Sequence, residues 1–216
     1  TDSEYPDNKL TGATFEVYKD SNGSGKLDDG DELLGTLTEK EIGSYEIKDL
    51  FYGRYFVKET KAPEGFVLDT GVYEVMIDTN GKTCEVENKA GVGFINEAMR
   101  GNLKIVKTSS DGKVKGFAFR ITGANGYDII LETNDKGEIF IDGLRIGDYT
   151  ISEVSNSASS MYVIPADKKA TVKLGSTTIV EMHNVLRDTP KTGDTTAVRT
   201  CGIVRSGHCR DSICWL

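Results

Sequence analysis

The chain repeats itself, and the length of the repeat limits the folds that it can adopt. Residues 43–59 align without gaps on residues 137–153. The matched pairs are Gly43/Gly137, Ile47/Ile141, Leu50/Leu144, Gly53/Gly147, Tyr55/Tyr149 and Glu59/Glu153. Weaker matches relate residues 10–17 to 114–121 and 94–96 to 182–184. A repeat of roughly 90 residues is too long for a solenoid unit and indicates a duplicated domain.

Within each copy the apolar residues alternate with polar ones, as they do along half-buried β-strands. Examples are Phe15/Val17, Tyr55/Val57, Tyr73/Val75/Ile77, Phe119/Ile121 and Tyr149/Ile151. The 24 glycines fall largely between these short runs, which is typical of turns. The pattern predicts an all-β chain of two tandem small antiparallel β-sandwich domains. The predicted domains are residues 1–99 and 100–187, followed by a tail, 188–216, that we expect to be disordered.

Charge and cysteine content exclude several classes of protein. The formal net charge of −8 argues against a nucleic-acid partner, because binding to phosphates needs clustered Lys and Arg. No apolar run reaches about 18 residues, so no membrane span is expected. The first 200 residues contain one cysteine, Cys84, and therefore no internal disulfide. No signal peptide stands at the start, and we expect such a segment to have been removed or to lie outside this sequence.

An acid, an amine and an amide lie at the ends of apolar stripes, the rows of alternate apolar residues that form one face of each predicted strand. Glu59 and Glu153 end matching stripes in the two copies, and Asn96 and Asn184 end the last stripe of each copy. Lys107 ends the first stripe of the second copy. Such residues commonly lie in solvent at strand ends. Their positions in the alternation of apolar and polar residues, taken alone, leave the exposed and the buried interpretation equally open.

Burial would give these groups a specific chemistry. A buried Lys loses its proton more easily, and a buried Glu holds one more tightly. A neutral amine beside a carboxamide is a nucleophile beside an electrophile. A protonated Glu could polarise the amide oxygen and shuttle protons while ammonia leaves. The buried interpretation therefore predicts a single-turnover route to a Lys–Asn cross-link.

Four strings closely resemble the collagen-adhesin B-type (CnaB, or SpaA-like prealbumin-fold) domains of Gram-positive pilins and surface adhesins. They are residues 10–18, 55–66, 94–97 and 101–108. The resemblance covers about residues 1–187 and is stronger in the first copy. It implies an isopeptide bond between the last Lys of the first strand and the Asn of the last strand. The Glu before a Thr-x-x-Pro-x-Gly loop would be the catalyst.

By this resemblance, Lys107, Glu153 and Asn184 form the triad of the second domain. This domain departs from the family pattern directly after the Glu, where residues 154–162 replace the Thr-x-x-Pro-x-Gly loop. The resemblance nevertheless implies a cross-link here. The bond would tie the first strand to the last and stabilise the fold as a disulfide does.

The first domain offers Glu59 and Asn96 but no partner lysine. Thr1 aligns with Thr108, so the reactive Lys would precede residue 1, and the first strand of this domain is expected to be missing. Lys9 lies in the following loop and is a poor substitute. We expect no cross-link in the first domain as given, and an unpaired sheet edge.

Residues 20–31 have the spacing of an EF-hand calcium loop, with Gly at position 6 and the Lys26 carbonyl at position 7. The candidate metal ligands are Asp20, Asn22, Ser24, Lys26, Asp28 and Asp31. Position 12 is Asp31 instead of Glu, Glu32 comes one residue late, and the flanks are strands instead of helices. The alternative is a flexible acidic hairpin turn. Ca²⁺ is thus a candidate ligand, and no cofactor is required.

The segment Thr189, Pro190, Lys191, Thr192 and Gly193 resembles the Leu-Pro-x-Thr-Gly sorting signal that sortase cleaves between Thr and Gly. Thr189 stands where the signal has Leu. The expected apolar helix and basic tail are replaced by a segment with three cysteines, as in a damaged or replaced anchor. The resemblance implies sortase, the cell wall and other pilin subunits as partners, and an extracellular, wall-anchored location.

These features favour a structural stalk, pilin or adhesin segment. The alternative is a ligand-binding adhesin module that recognises a host matrix protein through the sandwich loops. An enzyme is not expected, because the chain has no nucleophile elbow or phosphate loop and only two histidines, His183 and His208. His183 directly follows the apolar Met182, so its side chain points to the opposite face of the strand and is expected to face solvent.

Overall fold

The computed structural model describes residues 1–88 and 91–188. The strands of the first copy are β1 (Thr14–Lys19), β2 (Glu32–Thr36), β3 (Thr38–Glu41), β4 (Ser44–Glu46), β5 (Gly53–Lys61), β6 (Val72–Ile77), β7 (Glu87–Asn88) and β8 (Gly91–Val92). Those of the second copy are β9 (Arg100–Ser109), β10 (Ala118–Thr122), β11 (Asp128–Glu132), β12 (Glu138–Arg145), β13 (Gly147–Val154), β14 (Tyr162–Val163), β15 (Lys168–Val172) and β16 (Thr177–Leu186). The one helix of the described residues is a 3₁₀ turn, Ala124–Gly126. The predicted all-β fold is confirmed.

The second copy is a sandwich of two four-stranded sheets. One sheet has the order β11-β10-β13-β15 and the other the order β12-β9-β16-β14. Along the inner parts of β9, β13 and β16 every second residue is buried, as the period of two predicts. The fully buried apolar side chains include Leu103, Ile105, Phe117, Phe119, Ile121, Ile151, Val172 and Met182. One pair departs from the antiparallel prediction, because β9 and β16 lie side by side in parallel.

The first copy is less complete than the second. It has one four-stranded sheet, β2-β1-β5-β6, and two short hairpins, β3-β4 and β7-β8. Its buried core consists of Phe15, Val17, Tyr55, Val57 and Phe94. The alternation places Val92 on the buried face with Phe94, but Val92 is 58% exposed. Gly93 turns the chain between them at a φ of 84°, which breaks the alternation.

The aligned tyrosines of the two copies make the same hydrogen bond. The Tyr55 hydroxyl donates to the carbonyl of Phe51 at 2.6 Å. The Tyr149 hydroxyl donates to the carbonyl of Arg145 at 2.9 Å. Both rings are buried, so each hydroxyl needs such a partner. The bonds fix the turns that lead into β5 and β13, which explains why these positions match in the repeat.

Residues 1–186 form one compact unit. Within the part of the chain that the structure describes, no helix has the length and hydropathy needed to cross a membrane.

Candidate functional site

Three polar side chains lie inside the second sandwich. Lys107 lies near the end of β9 and Asn184 near the end of the neighbouring β16, while Glu153 is on β13 of the opposite sheet. Their exposed fractions are 1%, 0% and 8%. The alternation that buries the apolar residues of each strand therefore carries these three inward as well. The solvent-exposed interpretation of their parity is wrong.

The acid and the amide of this site are in direct contact. Nδ2 of Asn184 donates to Oε1 of Glu153 at 2.7 Å. The second oxygen of each group, Oε2 of Glu153 and Oδ1 of Asn184, is buried and accepts no hydrogen bond from any described residue. Buried polar atoms are nearly always paired. A proton on Glu153 would supply the missing donor for an amide oxygen turned toward it.

The amine of Lys107 lies against aromatic rings. Nζ is 4.0 Å from the ring centroid of Phe117 and 6.0 Å from that of Tyr162. It donates one hydrogen bond, to the carbonyl of Thr108. Burial lowers the pKa of Lys107, although the negative charges of Glu153 and Asp111 partly oppose the shift.

The pKa of Glu153 moves in the opposite direction. Burial raises it, and the hydrogen bond from Asn184 and the charge of Lys107 oppose the rise. Both shifts favour the neutral forms, an amine and a carboxylic acid. These are the forms that nucleophilic attack on a carboxamide with acid assistance requires.

Two aromatic rings, which no sequence pattern indicated, line this site. Tyr162 is 2% exposed, and its hydroxyl donates to Oδ1 of Asp111 at 2.7 Å. Its ring meets that of Phe117 edge to face, with 5.2 Å between centroids. The hydrogen bond from Tyr162 holds the pKa of Asp111 below its usual range. Tyr162 belongs to the segment that the sequence marks only as a departure from the family loop.

The departing loop after Glu153 is held by its own hydrogen bonds. Oδ1 of Asn156 accepts from the backbone N–H groups of Ala158 and Ser159, both at 3.1 Å. Nδ2 of Asn156 donates to the carbonyl of Gly116 at 2.7 Å. Ser159 is fully buried. These bonds give the loop a defined path that ends at β14.

A similar acid–amide pair lies in the first copy. Glu59 and Asn96 are 4% and 3% exposed. Nδ2 of Asn96 lies 3.1 and 2.9 Å from the two carboxylate oxygens of Glu59. The backbone N–H of Asp69 also donates to Glu59, at 2.7 Å. Burial raises the pKa of Glu59, and the hydrogen bonds from Asp69 and Asn96 oppose the rise.

The register of the two copies agrees with the alignment of Thr1 on Thr108. Asp2 forms a parallel bridge with Asn96, just as Ser109 pairs in parallel with Asn184. Thr1 thus lies where Thr108 lies in the second copy. In this register the position equivalent to Lys107 comes directly before Thr1.

The remaining predicted residues lie apart from these sites. Lys9 is exposed in the loop before β1. His183 is exposed, as predicted, and its Nδ1 lies 2.8 Å from Oγ1 of Thr108. The sorting-type segment, residues 189–193, lies outside the described residues.

The candidate calcium ligands lie together in the loop between β1 and β2. The side chain of Asp20 is 3% exposed, although the residue as a whole is partly exposed, whereas Asp28 is exposed. Across residues 1–88 and 91–188, no three Asp, Glu, His or Cys side chains converge as a preformed metal cluster. Any ion in this loop would therefore also need its amide, hydroxyl and carbonyl oxygens.

Comparison with known proteins assigns the same fold to both copies. Residues 2–90 and residues 101–185 each match the family model described as SpaA, prealbumin-like fold domain. The two matches together cover most of the chain.

Individual proteins match the chain with low sequence identity. The Trypsin-resistant surface T6 protein of Streptococcus pyogenes serotype M6 is 28% identical over 172 residues, which are 77% of this chain and 28% of that protein. The Bacillus anthracis TIE protein is similar in structure, with a TM-score of 0.62 and 24% identity over 85% of this chain and 32% of its own. The pilus adhesin SpaC from Lactobacillus rhamnosus GG gives a TM-score of 0.52 with 14% identity, over 84% and 29% of the two chains. The chain thus spans less than a third of the length of each.

Proposed function

The chain belongs to the family of SpaA prealbumin-like fold domains, and from this premise we propose that it is a structural segment of a Gram-positive surface protein, a pilin or adhesin stalk. In the proposal, Lys107 and Asn184 become joined by an isopeptide bond. The observation that carries it is the burial of an amine, a carboxyl group and a carboxamide in one sandwich interior. A lone buried charge costs several kcal/mol, so such a cluster needs a reason.

The proposed reaction joins two side chains and releases ammonia. The unprotonated Nζ of Lys107 attacks Cγ of Asn184, while the acid form of Glu153 hydrogen-bonds to the amide oxygen and stabilises the developing negative charge. A proton passes from Nζ through the Glu153 carboxyl group to Nδ2. The Nζ–Cγ bond forms, the Cγ–Nδ2 bond breaks, and Nδ2 leaves as ammonia. Glu153 ends in the protonation state in which it began.

The strand register supports the reaction geometrically. Lys107 pairs with Met182 in the parallel β9–β16 ladder, and Asn184 lies two residues further along on the same face. Diagonal neighbours on adjacent strands are within reach of a long side chain. The aromatic wall of Phe117 and Tyr162 limits the directions open to the amine.

The bond would give the domain a mechanical role. It would join the first strand to the last, so that tension on the chain passes from β9 to β16 through a covalent link. The residues between Lys107 and Asn184 would then carry no load. Thiols do not cleave an amide, so the link would persist where a disulfide is reduced.

The proposal implies an extracellular, wall-attached location. The T6 relative is described as a surface protein and SpaC as a pilus adhesin, which supports a surface location for this chain. Sortase, acting on residues 189–193, the cell wall and other pilin subunits would be the partners. No enzymatic turnover on an external substrate is part of this role.

The test is the intact mass of the purified chain together with tryptic mapping. We expect a mass lower by one ammonia and a branched peptide that joins Lys107 to Asn184. The variant Lys107→Met should have its full calculated mass. A full calculated mass for the unmodified, folded chain would overturn the proposal.

A further inference from the structure

The loop between β1 and β2 takes no part in the proposed cross-link, yet it is built around a buried carboxylate. We propose that residues 20–31 bind one calcium ion, with the oxygens of Asp20, Asn22, Ser24, Lys26, Asp28 and Asp31 as ligands. This site is independent of the isopeptide proposal, because it lies in the first domain. Each can fail without the other.

The carboxylate of Asp20 is the strongest indication. Its side chain is 3% exposed, and its Oδ1 is buried with no hydrogen-bond partner among the described residues. Its Oδ2 is occupied, since it accepts from the N–H of Gly25 at 3.2 Å and lies 3.4 Å from NH1 of Arg54. Arg54 therefore interacts with Oδ2 of Asp20 but not with Oδ1. A buried anionic oxygen without a donor is a costly arrangement that a bound cation would relieve.

The turn of the loop has the form that the spacing requires. Gly25, at position 6, has a φ of 73° and donates to Asp20 at position 1. The left-handed region favours Gly here, which is the part that the position-6 Gly plays in a calcium loop. Lys19 pairs with Glu32 in the β1–β2 ladder, so the two ends of the loop are fixed next to each other.

Hydrogen bonds already bring the other candidate ligand residues together in pairs. Oγ of Ser24 lies 2.8 Å from the carbonyl oxygen of Lys26, which joins positions 5 and 7. Nδ2 of Asn22 lies 2.7 Å from Oδ1 of Asp28, which joins positions 3 and 9. Asp31, at position 12, accepts from the backbone N–H groups of residues 21 and 28 and so closes the loop. In the proposal, Asp28 and Asp31 turn toward Asp20 when the ion binds.

The chemistry favours calcium over magnesium and predicts weak binding. The set offers carboxylate, amide, hydroxyl and carbonyl oxygens in an irregular arrangement, whereas Mg²⁺ demands a near-ideal octahedron. Asp31 replaces the bidentate Glu of tight sites, so the dissociation constant should be about 10⁻⁴–10⁻³ M, as in extracellular modules.

The test is calorimetric titration of CaCl₂ into the whole chain after dialysis against a chelator, with hydrogen exchange of residues 20–31 as a second readout. Asp28→Asn removes the negative charge of an exposed ligand without disturbing the buried Asp20–Arg54 pair, so it should fold. Asp29→Asn removes the same charge from the next position, which holds no ligand, and is the matched control. We expect Asp28→Asn to weaken binding by about tenfold or more and Asp29→Asn to leave the dissociation constant within about threefold.

Three results would overturn the site. One is the absence of both heat and slower exchange at about 10 mM calcium, well above the expected constant. Another is equal weakening by the two variants, which would show only general attraction of cations to an acidic hairpin. The third is equal affinity for MgCl₂.

Discussion

Arg145 of the second copy forms a two-bond ion pair with Asp2 of the first, with NH1–Oδ2 and NH2–Oδ1 distances of 2.7 and 2.8 Å. The same guanidinium group donates to Glu4 at 2.9 and 2.6 Å and lies 4.9 Å from the ring centroid of Tyr5. Asp2 also pairs in parallel with Asn96. One side chain of the second copy thus holds the segment that lies against the acid–amide pair of the first.

Removing this guanidinium group should destabilise the first copy. Asp2 is 2% exposed, so Arg145→Ala would leave a buried carboxylate without its counter-ion and cost about 3 kcal/mol of unfolding free energy. Denaturant unfolding measures the cost, and faster hydrogen exchange at residues 94–98 would locate it in the first copy.

Arg120→Ala is the matched control for that variant. Arg120 also makes two bonds to one carboxylate, that of Asp128, but the two side chains are 53% and 42% exposed. Its loss should cost less than about 1 kcal/mol. Equal effects of Arg120→Ala and Arg145→Ala would contradict a special contribution of the Arg145–Asp2 pair.

The same ion pair should weaken in acid. The hydrogen bonds from Arg145 lower the pKa of Asp2, although burial opposes the shift. A carboxyl group with a lowered folded pKa adds stability that is complete above its unfolded pKa of about 3.9 and is lost as the pH falls through the folded value.

Comparison with Asp2→Asn measures this contribution. The difference in unfolding free energy between the parent chain and the variant should be constant near neutral pH and shrink below about pH 4. A difference that stays constant down to about pH 2 would show that folding does not lower the pKa of Asp2.

Glu153→Gln should abolish the proposed cross-link, because the amide cannot transfer a proton to the leaving group. The intact mass should rise by one ammonia relative to the cross-linked parent, allowing for the substitution. Loss of the cross-link should cost about 4 kcal/mol on the chain-entropy model and lower the melting temperature of the domain by more than about 10 °C. Glu59→Gln makes the same substitution in the first copy and should leave the Lys107–Asn184 bond intact. A cross-linked Glu153→Gln chain would exclude Glu153 as the catalyst.

The rate of cross-linking should fall at both ends of the pH range. Attack requires Lys107 without its proton, so the rate should fall as the pH drops below the lowered pKa of the amine. Catalysis requires protonated Glu153, so the rate should also fall as the pH rises above the raised pKa of the acid. Mass spectrometry gives this profile if the chain is made by chemical synthesis and kept in denaturant, so that it is not yet cross-linked, and is then folded at a series of pH values. A rate that rises steadily into alkaline solution would show that Glu153 does not act as an acid.

The alternation of apolar residues predicted the β fold, because a residue's position along a strand decides which face its side chain takes. The same alternation placed Lys107 and Asn184 on the faces of their apolar neighbours but left the burial of both open. The grouping of these two residues with Glu153 came from the family resemblance. The alternation predicted the wrong face for Val92, because Gly93 turns the chain directly after it. It also gave no sign of Arg145 and Asp2, which are 143 residues apart and meet only through tertiary structure. The contact between Tyr162 and Asp111 was missed because the loop that carries Tyr162 follows no strand pattern.

The parallel neighbours β9 and β16 also determine what a protease could achieve. With Lys107 bonded to Asn184, residues 107–184 would be a closed covalent ring from which the two chain ends emerge. A single cut in any exposed loop of the ring would open it but release no fragment, because both new ends remain attached through the bond. Only a second cut would set a peptide free, so a surface protein built from such rings would keep its continuity after isolated cuts that sever a linear chain.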